Sequence, residues 1–435
     1  MTEFFEVIRP LFQVGKRNAS QQAGRYVSGL LSGARRKNLE GMSEVVPEAK
    51  VDDLQHFISN SPWAEGPIWR WLGLEAAKAL GGGPENMLLI DESGFSKKGE
   101  SSVGVARQYN GRLGKIDNCQ VGVFATLSLG KRSTLIGSRL YLPEAWSKDA
   151  KRCKKVGLPK EHRRHRTKSE LAWNLIETIE ADGVEFGWIG FDAGYGRDQN
   201  LLIKISGLGK HFVADVDCNQ RVWLDTPPGH RRPAQIEKSG AQRVDQIWEE
   251  SRGQARPVEL RTGENGPVVV QFWRRRVWIW PGSSEIPMEV WLLVSVRSDG
   301  SVKYSLSNAE LEIDFAELAR RQGQRYFVER NFQEGKSHLG MGHYEARGWR
   351  SWNHHMAMVG LAMYFTLLER EALKGEAPLL SVRDIVELMG DWFTTALTRE
   401  DIIARIAERH RRREKQMRGK IRRAAAKTKP DKLPE

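Results

Sequence analysis

Residues 84–99 read PENMLLIDESGFSKKG, and the reading of the whole chain starts from them. Met87 to Ile90 are four consecutive apolar residues that run directly into Asp91. A short apolar run without alternation suits a strand buried on both faces. A buried strand ending on a carboxylate is a common detail of many folds. It is also how many metal-dependent enzymes present a first ligand. The choice between these rests on whether the rest of the chain supplies partners for Asp91.

The chain has 435 residues, which implies one large domain with additions or two to three domains. With 40% hydrophobic and 28% charged residues it has the composition of a soluble globular protein. No apolar run reaches the roughly 18–20 residues needed to cross a bilayer, so a membrane is not expected as a partner. The start, MTEFFEVIRP, lacks the pattern of a secretory signal. The three cysteines, Cys119, Cys153 and Cys218, have no C-x-x-C spacing, so neither a zinc site nor a disulfide framework is expected. The expected setting is the reducing cytoplasm.

Lys and Arg number 68 against 55 Asp and Glu, a formal charge of +13. From Arg405 to Lys432 there are 13 basic and 3 acidic residues, a net of +10, so most of the excess lies in the C-terminal tail. A second basic stretch, KDAKRCKKVGLPKEHRRHRTK, occupies residues 148–168. Two such segments point to a polyanion, above all nucleic acid.

Residues 1–82 read as helical, with Ser61 and Pro62 as a helix start and the glycines after Leu80 as its exit; the region either binds DNA or packs on the core. Residues 83–219 change period. NMLLID, SSVGVARQYN and CQVGVFATLSL are strand candidates. TKSELAWNLIETIEAD is an amphipathic helix, VEFGWIGFD a strand closing on Asp192, GYGRDQNLLIKISGLG a short helix and KHFVADVD a further strand. Residues 220–306 are mostly β, with turns at GENG and Ser298–Gly300 and with Trp223, Trp273, Trp278, Trp280 and Trp291. Those tryptophans read as packing. Residues 307–375 are helical again, and residues 376–435 form a helical C-terminal region with the basic tail.

Asp91 and Asp192 each follow an apolar strand. A parallel pair would put both carboxylates at one sheet edge, where α/β sheets bind ligands. The third element lies in RYFVERNFQEGK, where Arg325, Glu329 and Lys336 fall at i, i+4 and i+11 on one helical face. Such a stripe alone could be a surface ladder of ion pairs. Three carboxylates from distant segments can hold two divalent cations about 3.5–4 Å apart. Oxygen ligands select hard ions such as Mg²⁺ or Mn²⁺. Arg325 and Lys336 would then face phosphate, and Lys97 and Lys98 after the first strand become DNA-backbone candidates. Asp215 and Asp217 are rivals for the second carboxylate, and Glu92 and Glu334 point away from the site.

These motifs resemble the DDE transposases of bacterial insertion sequences. The likeness covers roughly residues 85–370 and includes DESGFSKKG, GVARQYNGRLGKIDNCQVGVF and FDAGYG. It implies an α/β, RNase H-like (retroviral integrase-like) catalytic core interrupted by a mostly β insertion, with helical N- and C-terminal regions. One branch of these enzymes carries the signature Tyr, two residues, Arg, three residues, Glu, six residues, Lys. Here Arg325, Glu329 and Lys336 fit it, while Gln322 stands at the Tyr position. The resemblance implies metal-dependent cleavage of transposon ends and transfer of 3′-hydroxyls into target DNA. Asp91, Asp192 and Glu329 would be both the catalytic residues and the ligands of two Mg²⁺ or Mn²⁺ ions. The implied partners are double-stranded DNA, as terminal inverted repeats and target, and a homodimer or larger assembly on it. A host-adopted nuclease without strand transfer and a non-catalytic DNA-binding protein are the alternatives.

Overall fold

The computed structural model describes residues 1–227, 240–263, 266–280, 286–377 and 379–393, together with isolated positions between 403 and 421. Most of the basic tail from Arg405 to Lys432, and the two central residues of the GENG turn, lie outside the described residues.

The apolar run that opened the reading forms β1 (Met87–Ser96), buried from Met87 through Asp91. β1 is longer than its apolar run, so Asp91 lies mid-strand rather than at the strand's end. On one side β1 pairs antiparallel with β3 (Lys115–Leu129), along its whole length. On the other it pairs parallel with β5 (Trp188–Phe191), and only from Met87 to Leu89. Past Leu89 the parallel neighbour is gone. Asp91 therefore borders an open notch although its own strand continues.

The first half of β3 carries the short hairpin strand β2 (Ala106–Asn110). Its second half pairs with β4 (Arg132–Leu140), which the sequence reading passed over. β4 follows a tight turn with Gly130 at φ 58, a left-handed conformation that favours glycine. Its apolar pattern is broken by Gly137, beside a register shift in β3 between Ala125 and Thr126. β6 (His211–Val216) adds parallel to β5. Two parallel pairings thus place the ends of β1, β5 and β6 on one side, as expected for strands joined by helical crossovers.

The insertion does not stand apart from this sheet. Its strands β7 (Arg256–Gly263), β8 (Gly266–Ile279), β9 (Met288–Val296) and β10 (Val302–Ser307) run antiparallel, and β10 pairs with β6. The ten-stranded order is β7-β8-β9-β10-β6-β5-β1-β3-β2, with β4 on β3. Trp223, Trp273, Trp280 and Trp291 are buried and Trp278 is half-buried, as packing residues would be.

Helices cover both faces. In the N-terminal region α1 (Ser20–Leu31), α2 (Val51–Ser59) and α3 (Glu65–Leu80) precede the sheet. α3 starts at Glu65, four residues after Ser61, and ends at Gly81 in a left-handed conformation. α4 (Lys168–Ala181) starts from a capping box of Thr167 and Glu170 and lays Leu175 and Ile179 against Gly137. α5 (Gln199–Gly207) links β5 to β6. The long helical pattern after the insertion is two helices, α6 (Phe315–Gln324) and α7 (Tyr326–Ser337), meeting at Arg325.

α8 (Trp349–Ala372) is buried on every side from Ser351 to Leu367. A helix apolar all round needs cover all round. The sheet supplies one side, through Phe124 against Trp352, and the N-terminal helices supply the rest, through Tyr26, Trp63 and Trp69. His354 stacks on Trp63 with ring centroids 3.5 Å apart, and His355 bonds to the Tyr26 hydroxyl at 2.8 Å. Both histidines are packing residues of α8. Among the described residues no helix is long and apolar enough to cross a membrane.

Candidate active site

Alternation along β1 sets which side chains share a face. Asp91 is in register with Phe124 of β3, and Phe124 with Ser138 of β4. Phe124 packs on Phe332 of α7, so Asp91 faces the helix that carries Glu329. Glu92 points the other way and is bound by Lys168, 2.6 Å away at the start of α4. Asp192 follows β5 by one residue. It caps the turn Ala193–Gly196 by accepting from the Tyr195 N–H at 3.3 Å.

Gly196 explains part of the GYG that follows Asp192. Its φ is not positive; the constraint is closeness. A Cβ there would stand 1.9 Å from the backbone oxygen of Asp215 on β6. The turn carrying Asp192 is pressed directly onto the next strand.

Arg325 organises the carboxylates. Its guanidinium lies 3.3 Å from Asp91 Oδ2, 2.8 Å from Glu329 Oε1 and 2.8 Å from Asp215 Oδ2. The Arg325–Glu329 pair is the i, i+4 contact read from the sequence. The contact with Asp215 joins segments more than a hundred residues apart, so no local spacing announces it. Asp215 is itself buried. Its Oδ1 accepts from Ser305 Oγ at 2.7 Å, and Lys303 Nζ stands 3.0 Å from Oδ2. Ser305 Oγ in turn accepts from Gln322 Nε2 at 2.9 Å. Gln322, at the position where the resembling family has Tyr, is thus buried and tied through Ser305 to the same anion. The last strand of the insertion supplies Lys303 and Ser305, and so is wired into the site.

Burial pushes the Asp91 carboxyl up to about 7; nearby Asp192 adds to this, and Arg325 works against it. Burial disfavours the charge on Arg325, yet Asp215, Asp91 and Glu329 hold it above its ordinary value. Two close carboxylates in a low-dielectric notch repel, and a hard cation between them offsets that repulsion. The donor chemistry of Asp91 and Asp192 therefore fits a divalent ion. Glu329 is turned to Arg325 with its side chain 56% exposed. In this arrangement no three His, Cys, Asp or Glu among the described residues are gathered closely enough to hold a metal.

The other basic candidates are placed as follows. Lys336 Nζ donates to Gly94 O at 2.8 Å, which ties α7 to β1. Lys97 turns inward, donating to Tyr344 O at 3.1 Å with its ammonium 3.8 Å from that ring's centre. Burial lowers its pKa to about 8. Lys98 is exposed. Tyr344 is buried, bonds to Gln120 and stacks on His355, so it is a packing residue.

Residues 9–274 match the family of DDE superfamily endonucleases, and the chain belongs to that family. The matched part holds Asp91 and Asp192 and stops before Glu329. The chain is also 29% identical over 211 residues to a probable transposase for insertion sequence element IS701 of Microchaete diplosiphon. That match spans 47% of this chain and 51% of the relative, about half the length of each. Among solved structures, the piggyBac transposase synaptic complex with hairpin DNA aligns with all of this chain and 82% of its own, at 13% identity and a TM-score of 0.40.

Proposed function

We propose that this chain is the transposase of an insertion sequence, with an RNase H-like core that cleaves transposon ends and joins their 3′-hydroxyls to target DNA. Family membership and the IS701 relative support this reading. The carrying observation is that one side chain, Arg325, joins Asp91 of β1 to Glu329 of α7, with Asp192 close enough to raise the cost of charging Asp91. The order β4-β3-β1-β5-β6 supports the RNase H-like assignment: antiparallel strands on one side of β1 and parallel strands on the other.

In this reading Asp91, Asp192 and Glu329 hold two Mg²⁺ or Mn²⁺ ions. When bound, the ions supply Lewis-acid activation of the attacking water or 3′-hydroxyl and of the leaving oxygen. The chain's own residues do the rest. Asp91 is fixed by its strand and accepts from the Glu92 N–H at 2.7 Å. Arg325 holds Glu329 until substrate enters, and then offers its guanidinium to the scissile phosphate. Lys336 braces α7 on β1, which sets the distance of Glu329 from Asp91. Exposed Lys98 contacts the DNA backbone, with Lys97 behind it. Two ends must be handled together, so the working form is a dimer or larger on terminal inverted repeats.

The test is Glu329→Gln, assayed for Mg²⁺-dependent cleavage of a duplex carrying the element's end. Cleavage should vanish while binding of that duplex persists. Stability should change by less than about 1 kcal/mol, because an exposed ion pair contributes little. Wild-type cutting by the variant refutes the assignment. Cutting without end joining by the unaltered protein points to a nuclease instead.

A further inference from the structure

Arg261, on the insertion's edge strand β7, takes no part in the chemistry above, yet it stands beside the helix that carries Glu329. The register between β7 and β8 shifts between Glu259 and Arg261. At such a bulge two residues of one strand oppose one of its partner, and side chains are re-aimed. Here Leu260 and Arg261 both reach the helices. Leu260 packs on Gly323 of α6. Arg261 lays its guanidinium 4.0 Å from the ring centre of Tyr326, the first residue of α7, and donates to the Tyr326 hydroxyl.

Tyr326, Glu329 and Gln333 fall at i, i+3 and i+7, so they form one stripe of α7. Glu329 and Gln333 are exposed, and Tyr326 is half-buried. The stripe is therefore open at Glu329 and ends on Arg261. A DNA strand that reaches Glu329 and runs toward the start of α7 meets Arg261 about one helical turn away, roughly 5 Å along the axis.

The charge balance points the same way. The charged neighbours of Arg261 are two more cations, Arg297 and Arg330. Arg330 has Glu334 at 2.9 Å, and Arg297 has Asp299 nearby. Arg261 itself has no carboxylate at ion-pair distance among the described residues. Burial disfavours its charge; Tyr326 favours it, and Arg297 and Arg330 again disfavour it. A half-buried cation that faces no anion is costly until a ligand supplies one. A guanidinium stacked by one face keeps an N–H edge for a bidentate acceptor, and the stack orients that fork before binding.

We propose that Arg261, held on Tyr326, binds a backbone phosphate of the DNA that lies along the Glu329 stripe, a site that rests on the endonuclease reading above. The insertion then sets the register of the strand at the catalytic helix through its edge strand.

The test uses the full chain with chelator and a fluorescein-labelled duplex carrying the element's end, with anisotropy read across a salt series. Arg261→Gln should lower the slope of log affinity against log salt by about 1, while Arg261→Lys, which keeps the charge, should keep the slope. Arg261→Met, which leaves an apolar stem on the ring, takes the place of Arg261→Gln if that variant does not fold. A set of duplexes, each with one phosphate near the element's end neutralised by ethylation, locates the contact. One position should weaken the wild type about 10-fold, the size of one charge-assisted hydrogen bond, and leave Arg261→Gln unaffected. An unchanged slope, with the same interference in wild type and variant, overturns the site. So does a lowered melting temperature with an unchanged slope, because Arg261 would then only brace α7. Cleavage is read separately: a lowered slope and lost interference in a protein that never cuts retain the phosphate site and reject the endonuclease reading.

Discussion

Asp215→Asn is the substitution on which the wiring of the site can be judged. Asparagine keeps the shape and can still accept from Ser305 Oγ, now 2.7 Å away. It removes the anion that faces Arg325 at 2.8 Å and Lys303 at 3.0 Å. The side chains of Asp215 and Arg325 are only 10% and 17% exposed, so water cannot replace what is lost. Breaking a buried pair by removing one partner costs about 3–5 kcal/mol. Two features reduce that figure here. Arg325 keeps Asp91 and Glu329, and Lys303, at 26% exposure, can turn its ammonium outward. The expected loss is about 2–3 kcal/mol, the scale of a hydrogen bond to a charged group. Arg325 would also lose the contact that fixes its Nε, and cleavage should slow by about 10- to 100-fold, as when a supporting partner is removed. The assay is a double-mutant cycle of Asp215→Asn with Arg325→Gln, read by urea unfolding and by cleavage rate. The cycle cancels what each change does alone. A coupling energy of at least about 1.5 kcal/mol is expected; a coupling under about 0.5 kcal/mol with wild-type cutting would refute the relay.

Gly196→Ala should destabilise by about 1–3 kcal/mol or more, because its Cβ meets the Asp215 carbonyl at 1.9 Å; thermal melts check this, and cleavage should fall with them as Asp192 shifts. Gln322→Tyr, which puts the tyrosine of the resembling signature at this position, should cost about 1–3 kcal/mol, since Gln322 is 3% exposed and bonded to Ser305; denaturant midpoints decide it, and equal stability would mean the pocket accepts the ring. Burial lowers His354 to about 4 and His355 to about 3, so the folded protein binds fewer protons than the unfolded chain below pH 6.5. Their contribution is complete above pH 6.5 and shrinks as pH falls, by about 2 kcal/mol each at pH 5. Asp91, raised by burial, acts in the opposite sense. The His355→Gln variant compared with wild type in urea at pH 7 and pH 5 isolates the histidine, and parallel losses in both proteins would count against it.

Much of this site was legible in local pattern. The apolar run Met87 to Ile90 marked a buried strand, VEFGWIGFD marked a second one, and the i, i+4 spacing placed Arg325 beside Glu329. Each of these inferences needs only the period of one element, which is a property of the chain itself. β4 escaped because Gly137 and a register shift break its alternation. The role of Asp215 escaped for a different reason. HFVADVD shows a half-apolar strand with a carboxylate but does not say which strand lies next to it. That neighbour is β10, some ninety residues later in the chain, whose Ser305 is the register partner of Asp215. Strand order is set by backbone hydrogen bonds, which are the same for every residue type. Sequence by itself therefore determined which carboxylates are available and which faces they take. Only the tertiary structure decided that Asp215 sits behind Arg325 as its anchor, because that depends on which strand the sheet closes against.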